Sequence, residues 1–348
     1  MMKILFLDDS FAFDGYTPRN DPMGGAQKGL VFLAEALAKR HHEVTVMNRC
    51  DGARTIRGVF WQSIADGEVP ESDLVVALRH PRLLENVPSG QCRVLWVADQ
   101  LDDSGAAALA SRAGACRIDR IVFMGDHHVS SWSADEELAV VLRPGIAPAY
   151  LAPEPPQGYW PPRAVTTMHP RGGLSWLLDL WVDKIHPMID EAELHVFSGL
   201  LARAASGQVV EGDLARLWRR IEGLGSAGVV VRRPLPDADM AGEFRHARVH
   251  LHPGSLREAY VATLAESQAA GCPGVAFKTG AAVERIKDSR SGFLVPDDAA
   301  FANCAILCLK EELVYRGRSK DAADLQRDRS WDDAAAELEA LHNAVMSR

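Results

Sequence analysis

The sequence predicts an α/β protein built from two doubly wound halves, and three observations predict it. The chain has 348 residues, more than a single ordinary core organises. Short apolar strands alternate with helical stretches along its whole length, the pattern of βαβ units with parallel sheets. A proline-rich stretch, YLAPEPPQGYWPPR (150–163), interrupts that alternation near the middle and is followed by a fresh strand, so it reads as a linker.

Each element follows from local pattern. The opening MMKILFLDDSF holds only a short apolar run before Asp8 and Asp9 and reads as a first strand, KILFLD, rather than a signal peptide. Further strands in the first half are HEVTVMN (42–48), DLVVALR (73–79), RVLWVAD (93–99), RIVFMG (120–125) and LAVVLRPG (138–145). In the second half they are AVTTMH (164–169), ELHVFSG (193–199), GVVVRRP (228–234), ARVHLHPG (247–254), PGVAFK (273–278) and GFLVPD (292–297). A last helix covers about 331–346. The domains are placed at 1–152 and 153–330, with the 331–348 helix packing back on the first.

Composition excludes several classes. With 47% hydrophobic and 24% charged residues the chain is an ordinary globular protein. A net charge of −9 and the lack of a Lys/Arg stripe argue against a nucleic-acid partner. No apolar run approaches the length of a membrane span. The six cysteines include no C-x-x-C pair, so buried, reduced thiols in a cytoplasmic protein are expected.

Neither G-x-G-x-x-G nor G-x-x-x-x-G-K-[ST] occurs, so the dinucleotide and P-loop signatures are missing. Two other places suit phosphate. Gly24 and Gly25 in PMGGAQKGLVFLAEALAKR open a helix whose buried stripe would be Leu30, Leu33, Ala34 and Leu37; a plain tight turn explains these glycines equally well. In REAYVATLAESQAAGCP (257–273) a helix from roughly Val261 to Ala270 starts at the carboxyl end of a strand. Glu258 lies in the loop before it, and Glu266 lies within it, where two ribose hydroxyls would suit its carboxylate. Alone, the pair also fits a solvated loop residue and a surface helix residue. The small Ala262, Ala265, Ala269 and Ala270 imply close packing around the helix, which disfavours a solvated Glu266. Asp237-Ala238-Asp239 opens a helix after Leu-Pro, so Asp237 reads as an N-cap, and His250 and His252 share a strand face without an evident third ligand; no metal is assigned. Lys39, Arg40, His41 and His42 form a small cationic cluster at a helix end, which suits a solvated end better than a membrane contact.

Several stretches, in order, resemble family 4 glycosyltransferases, retaining enzymes of GT-B fold. These are GGAQKGLVFLAEALAKRHHEVTV, VLRPGIAPAYLAP, HPRGGLSWLLDLWVDKIHPMIDEAELHVFSG, EAYVATLAE as an E-x7-E motif, AAGCPGVAFKTGAAVERIKDSRSGFLVP and SWDDAAAELEAL. The resemblance implies two Rossmann-like domains facing each other across a cleft, the first on the acceptor side and the second binding the donor. It implies sugar transfer from a nucleoside diphosphate sugar (UDP- or GDP-sugar), with no tightly bound cofactor, to a hydroxyl acceptor on a glycan, lipid-linked sugar, protein or small molecule. A cytoplasmic site of action is expected, with peripheral contact at the inner face of the membrane as the alternative a lipid-linked acceptor would require.

The resemblance also implies roles. Glu258 would bond the donor sugar and Glu266 the ribose. The backbone from Tyr260 through Val261 and Ala262 to Thr263, with the Gly24–Gly25 loop, would hold the diphosphate. His128 in GDHHVSSW matches a histidine near the cleft and is expected, with Glu258 and Arg171, among the catalytic residues, although by itself it reads as a packed or capping residue; Glu284 is expected to be structural. The sequence departs from the family where Thr167 and Gly172 stand in place of an Arg and a Lys, and where Ala98 stands in place of a His. Arg171 and Arg233 are the cations that would stabilise the leaving diphosphate. The rival readings are a catalytically silent relative that binds sugar nucleotide or glycan, and another GT-B activity such as a nucleotide-sugar epimerase or an inverting transferase.

Overall fold

The structure, a computed structural model, describes residues 1–347 apart from 66–67, 86, 89–90 and 153–155. Residues 153–155 of the expected linker, and Arg348, therefore lie outside the described residues. The chain forms two compact units. The first comprises Met1–Ala147, Arg257–Tyr260 and Arg329–Arg348, and the second Pro148–Leu256 and Val261–Asp328.

The first unit holds an eight-stranded sheet: β1 (Lys3–Leu7), β2 (Glu43–Asn48), β3 (Arg54–Ile56), β4 (Val59–Ser63), β5 (Leu74–Leu78), β6 (Cys92–Trp96), β7 (Arg120–Phe123) and β8 (Ala139–Val141). Their order is β3-β4-β2-β1-β5-β6-β7-β8, parallel except for β3, which runs antiparallel to β4. The β3–β4 hairpin is absent from the strands expected above. Its two-residue turn is Arg57-Gly58, with φ of +52° and +83°, the left-handed pair that matches strand twist in a tight hairpin. β1, β5 and β6 bury side chains on both faces, because helices cover both sides of a parallel sheet.

The Gly25–Lys39 helix shows why the expected stripe was too narrow. Every residue from Gln27 to Leu37 is buried, including the three polar ones. The Trp331–Met346 helix packs on it, with Trp331 stacked on Phe32 at 6.3 Å between ring centroids. Buried Glu35 receives a two-pronged bond from Arg19, at 2.9 and 2.8 Å. A capping box starts the last helix: Ser330 Oγ accepts from Asp333 N, and Asp333 Oδ2 accepts from Ser330 N. Gly145 lets the chain pass beneath that start, since a Cβ there would meet the backbone nitrogen of Trp331 at 2.4 Å.

Two members of the 39–42 cationic cluster are engaged within this unit. Arg40 grips Glu339 at 2.6 and 2.9 Å, and His42 Nε2 lies 2.7 Å from the same carboxylate. Arg40 and His42 are thus directed at the last helix.

The second unit has six strands: β9 (Arg163–Thr166), β10 (Glu193–Phe197), β11 (Val229–Arg232), β12 (Val249–Leu251), β13 (Gly274–Phe277) and β14 (Gly292–Val295). All are parallel, in the order β11-β10-β9-β12-β13-β14. That is the 3-2-1-4-5-6 order of a Rossmann sheet. Its core gathers Leu177, Trp181, Leu194, Val196, Leu251, Val275 and Phe301. The described cysteines are all unpaired with one another, and burial pushes the Cys308 thiol up to about 12.

Trp331→Ala removes the stacked anchor of the last helix and is expected to lower unfolding free energy by about 3 kcal/mol, read from urea denaturation. The hydrogen bond from Arg40, aided by His42, holds the Glu339 carboxyl down at about 2, against 4.5 ordinarily. A depressed carboxyl stabilises the fold above its unfolded value and loses that effect as pH falls toward its folded value. The stability difference between wild type and Glu339→Gln should therefore be full above about pH 4.5 and vanish as the pH approaches 2.

Candidate functional site

In the second unit the strand order reverses between β9 and β12, and both of those strands run on into polar residues. An open parallel sheet binds ligands at such a point, outside the carboxyl ends of its strands. β9 runs into Thr167, and β12 runs through His252-Pro253-Gly254 toward the Ala262–Ala269 helix.

Four side chains lock that helix to the two strands. Thr167 Oγ1 donates to Thr263 Oγ1 at 2.8 Å and lies 3.1 Å from His250 Nε2. His250 Nδ1 lies 2.8 Å from Ser267 Oγ, one helical turn beyond Thr263. Full burial, with His252 adding to it, drives the His250 pKa well below 6.5, so the ring is neutral and uses one nitrogen as donor and the other as acceptor. Thr167, which replaces an expected arginine, is therefore part of a closed ladder that sets the first turn of the helix.

Glu266 lies in the same helix and is only 5% exposed, which rules out the solvated alternative. Tyr150, 1% exposed, donates its hydroxyl to Asp237 Oδ1 at 2.9 Å. Burial first, then the carboxylates of Glu266 and Asp237, push that phenol well above its ordinary range. Asp237 is not the N-cap of its helix. Pro236 occupies that place, and Asp237 is the first helical residue, turned inward to take the Tyr150 hydroxyl. The same anchor explains why Pro148–Ala152 groups with the second unit.

The second unit thus carries Arg171, Arg233, Val261, Ala262, Thr263 and Glu266. Arg171 and Arg233 follow the carboxyl ends of β9 and β11, and both are exposed. Gly173 takes φ +106° in the turn after Arg171, where a side chain would strain the backbone. The first unit carries Gly24, Gly25, His128, Glu258 and Tyr260. Gly24 caps the Gly25–Lys39 helix at φ −67°, and a Cβ there would meet only Gln27 Oε1 at 3.6 Å. Neither backbone conformation nor packing requires a glycine at that exposed spot. Glu258 is half-buried.

The catalytic expectation for His128 does not match its surroundings. The ring is fully buried; Nδ1 accepts from Met124 N at 3.1 Å, and Nε2 donates to the Asp99 carbonyl at 3.0 Å. With both nitrogens engaged by the backbone, the ring ties the end of β7 to the loop after β6 and has no nitrogen left for substrate. Among the described residues, no group of three or more His, Cys, Asp or Glu side chains is arranged to hold a metal ion, and no helix is long and apolar enough to cross a membrane. Sequence reasoning missed Tyr150 and the Thr167–His250–Ser267 ladder. Each joins residues distant in sequence, and the only signal was polar residues closing apolar strands.

Residues 164–311 match the sequence profile of glycosyl transferases group 1. No curated protein matches the chain. Among solved structures it is similar to sucrose-phosphate synthase (tll1590) from Thermosynechococcus elongatus, at 14% identity over 99% of both chains with a TM-score of 0.73. It is also similar to Anabaena Alr3699/HepE, solved with UDP and glucose, at 16% identity over 99% of this chain and 100% of that one, TM-score 0.73. A third is WaaG, a glycosyltransferase involved in lipopolysaccharide biosynthesis, at 16% identity over 98% and 99%, TM-score 0.67. The fold is GT-B, with two Rossmann-like domains. Together with the profile match over the second unit, it supports a glycosyltransferase.

Thr167→Val leaves Thr263 and His250 without their shared partner. It is expected to cost about 1–2 kcal/mol in urea unfolding and to increase amide exchange in the first turn of the Ala262–Ala269 helix.

Proposed function

We propose that this protein is a retaining glycosyltransferase that moves a sugar, of hexosyl type, from a nucleoside diphosphate sugar to a hydroxyl acceptor in the cytoplasm. The observation that carries the reading is the placement of Glu266. It is a buried carboxylate on the helix that begins at the β9/β12 switch point of a segment matching glycosyl transferases group 1. A carboxylate there can accept hydrogen bonds from two neighbouring ribose hydroxyls. The amides at Val261, Ala262 and Thr263, at the start of the same helix, suit the diphosphate.

The bond to break joins the anomeric carbon to phosphate. Negative charge grows on the leaving diphosphate while the sugar gains oxocarbenium character. Arg171 and Arg233, with the helix amides, are the groups proposed to stabilise that charge, and they need no metal to do so. Glu258 is proposed to bond donor-sugar hydroxyls, and the Gly24–Gly25 loop to give a phosphate close access to the backbone. The acceptor hydroxyl passes its proton to a leaving phosphate oxygen on the same face, which yields retention. HepE was solved with UDP and glucose, which makes UDP the first nucleotide to test.

One observation favours the silent-relative reading. Thr167 stands where the resemblance places an arginine, and its hydroxyl is committed to Thr263 and His250. Slow hydrolysis of a sugar nucleotide by the purified chain would count against that reading.

Calorimetric titration of UDP, GDP and ADP, with and without EDTA, tests the proposal. One nucleotide should bind equally well with and without the chelator, and Glu266→Ala should weaken it by about 10–100-fold, as expected when a charged partner of two hydroxyls is lost. Equal binding by the mutant would refute the ribose assignment.

A further inference from the structure

Tyr150 lies where the second unit begins, in the short 3-10 helix Pro148–Leu151. That segment packs against two helices, Asp237–His246 and Ala262–Ala269, which also touch each other. The Tyr150 ring sits 6.1 Å from that of Phe244, on the first of them, and Phe244 stacks on His250 at 5.7 Å between centroids. His250 Nδ1 in turn lies 2.8 Å from Ser267 Oγ, on the residue next to Glu266. Tyr150 is thus wedged by ring contacts that lead to the helix carrying Glu266.

The surroundings of its hydroxyl are two carboxylates. It donates to Asp237 Oδ1 at 2.9 Å, and the Glu266 carboxylate is its other hydrogen-bond neighbour. All three residues are buried, Tyr150 at 1% exposure, Asp237 at 7% and Glu266 at 5%. Burial first, then the charges of Glu266 and Asp237, keep the phenol un-ionised, so its hydrogen stays in place between the two acids. Asp237 is itself fixed as the first residue of its helix. A glutamate carboxylate on its own can turn about several side-chain torsions. A hydroxyl fixed on Asp237 limits where the Glu266 carboxylate settles.

We infer that Tyr150, anchored by Asp237, is the positioning residue that holds the Glu266 carboxylate for a pair of adjacent nucleoside hydroxyls, and so makes nucleotide binding selective for ribose. In this role Tyr150 acts through Glu266 and not on the ligand. A carboxylate that serves two vicinal hydroxyls must lie within hydrogen-bond range of both, so a turn of its plane sacrifices one of the two bonds. The inference rests on the proposed ribose role of Glu266 and adds the residue on which the geometry of that role depends.

The test is calorimetric titration of the full chain with UDP, GDP and ADP, and with the 2′-deoxy counterpart of whichever binds. Wild type should prefer the ribonucleotide by about tenfold, the scale of one hydrogen bond to a charged group. Tyr150→Phe keeps the ring against Phe244 and removes only the hydroxyl. It should reduce the preference to about twofold or less, mainly by weakening the ribonucleotide. A general loosening of the site would weaken both nucleotides by one factor and leave the ratio at its wild-type value, which would overturn the inference. Asp237→Ala removes the anchor and should reduce the ratio too, so an unchanged ratio in whichever of the two variants folds also overturns it. Glu266→Ala separates the two levels. If it abolishes the preference while Tyr150→Phe retains it, the ribose assignment stands and only the role of Tyr150 fails. If Glu266→Ala binds both nucleotides as wild type does, or no nucleotide binds wild type, the ribose assignment fails and this inference falls with it.

Discussion

Parallel strands covered by helices on both faces can carry almost no polar side chains, and the rest of this structure is arranged around that constraint. β5 reads LVVAL and is buried at every position. Polar groups are pushed to the strand ends, where backbone hydrogen bonding stops and water or a ligand can reach. Arg93 and His250, among the exceptions within strands, show how demanding the rule is. Arg93 in β6 is 6% exposed and satisfies its guanidinium with the carbonyls of Leu84, Cys116, Val87 and Pro88. His250 in β12 is kept neutral and is bonded at both nitrogens.

The same constraint accounts for where chemistry gathers. In each sheet the chain order reverses once beside the first strand of the unit, the kind of point at which open parallel sheets bind ligands. In the second unit the strand ends there are joined by Thr167, Thr263 and His250. In the first they are joined by Asp9 and His80. These bonds link residues 71 to 96 positions apart, and each fixes a loop that the strands alone would leave unconstrained.

The periodicity of the sequence made the parallel strands legible, because each is an apolar run bounded by polar or turn residues. The β3–β4 hairpin was not legible in the same way. Arg57 occupies a left-handed turn position where Asn or Gly is the usual signal, so the turn chemistry was hidden. The Gly25–Lys39 helix looked amphipathic, yet the last helix, more than 290 residues downstream, packs on it, and its buried Glu35 is held by Arg19. Single-residue roles were least legible. His128 matched a motif, but Met124 and Asp99 determine what its ring can do. Asp237 had the residue type of a cap, but Tyr150 turned it inward.

By itself the sequence determined the number of sheets, the parallel character of their strands and the candidate helix that bears Glu266, because hydrophobic period and glycine or proline breaks act over a few residues. Only the tertiary structure decided which polar side chains would face one another. Strand order is a property of long-range pairing, and it is strand order that sets β9 beside β12 and β1 beside β5. Once those neighbours were fixed, Thr167 met Thr263 and Asp9 met His80 at the polar ends of otherwise apolar strands.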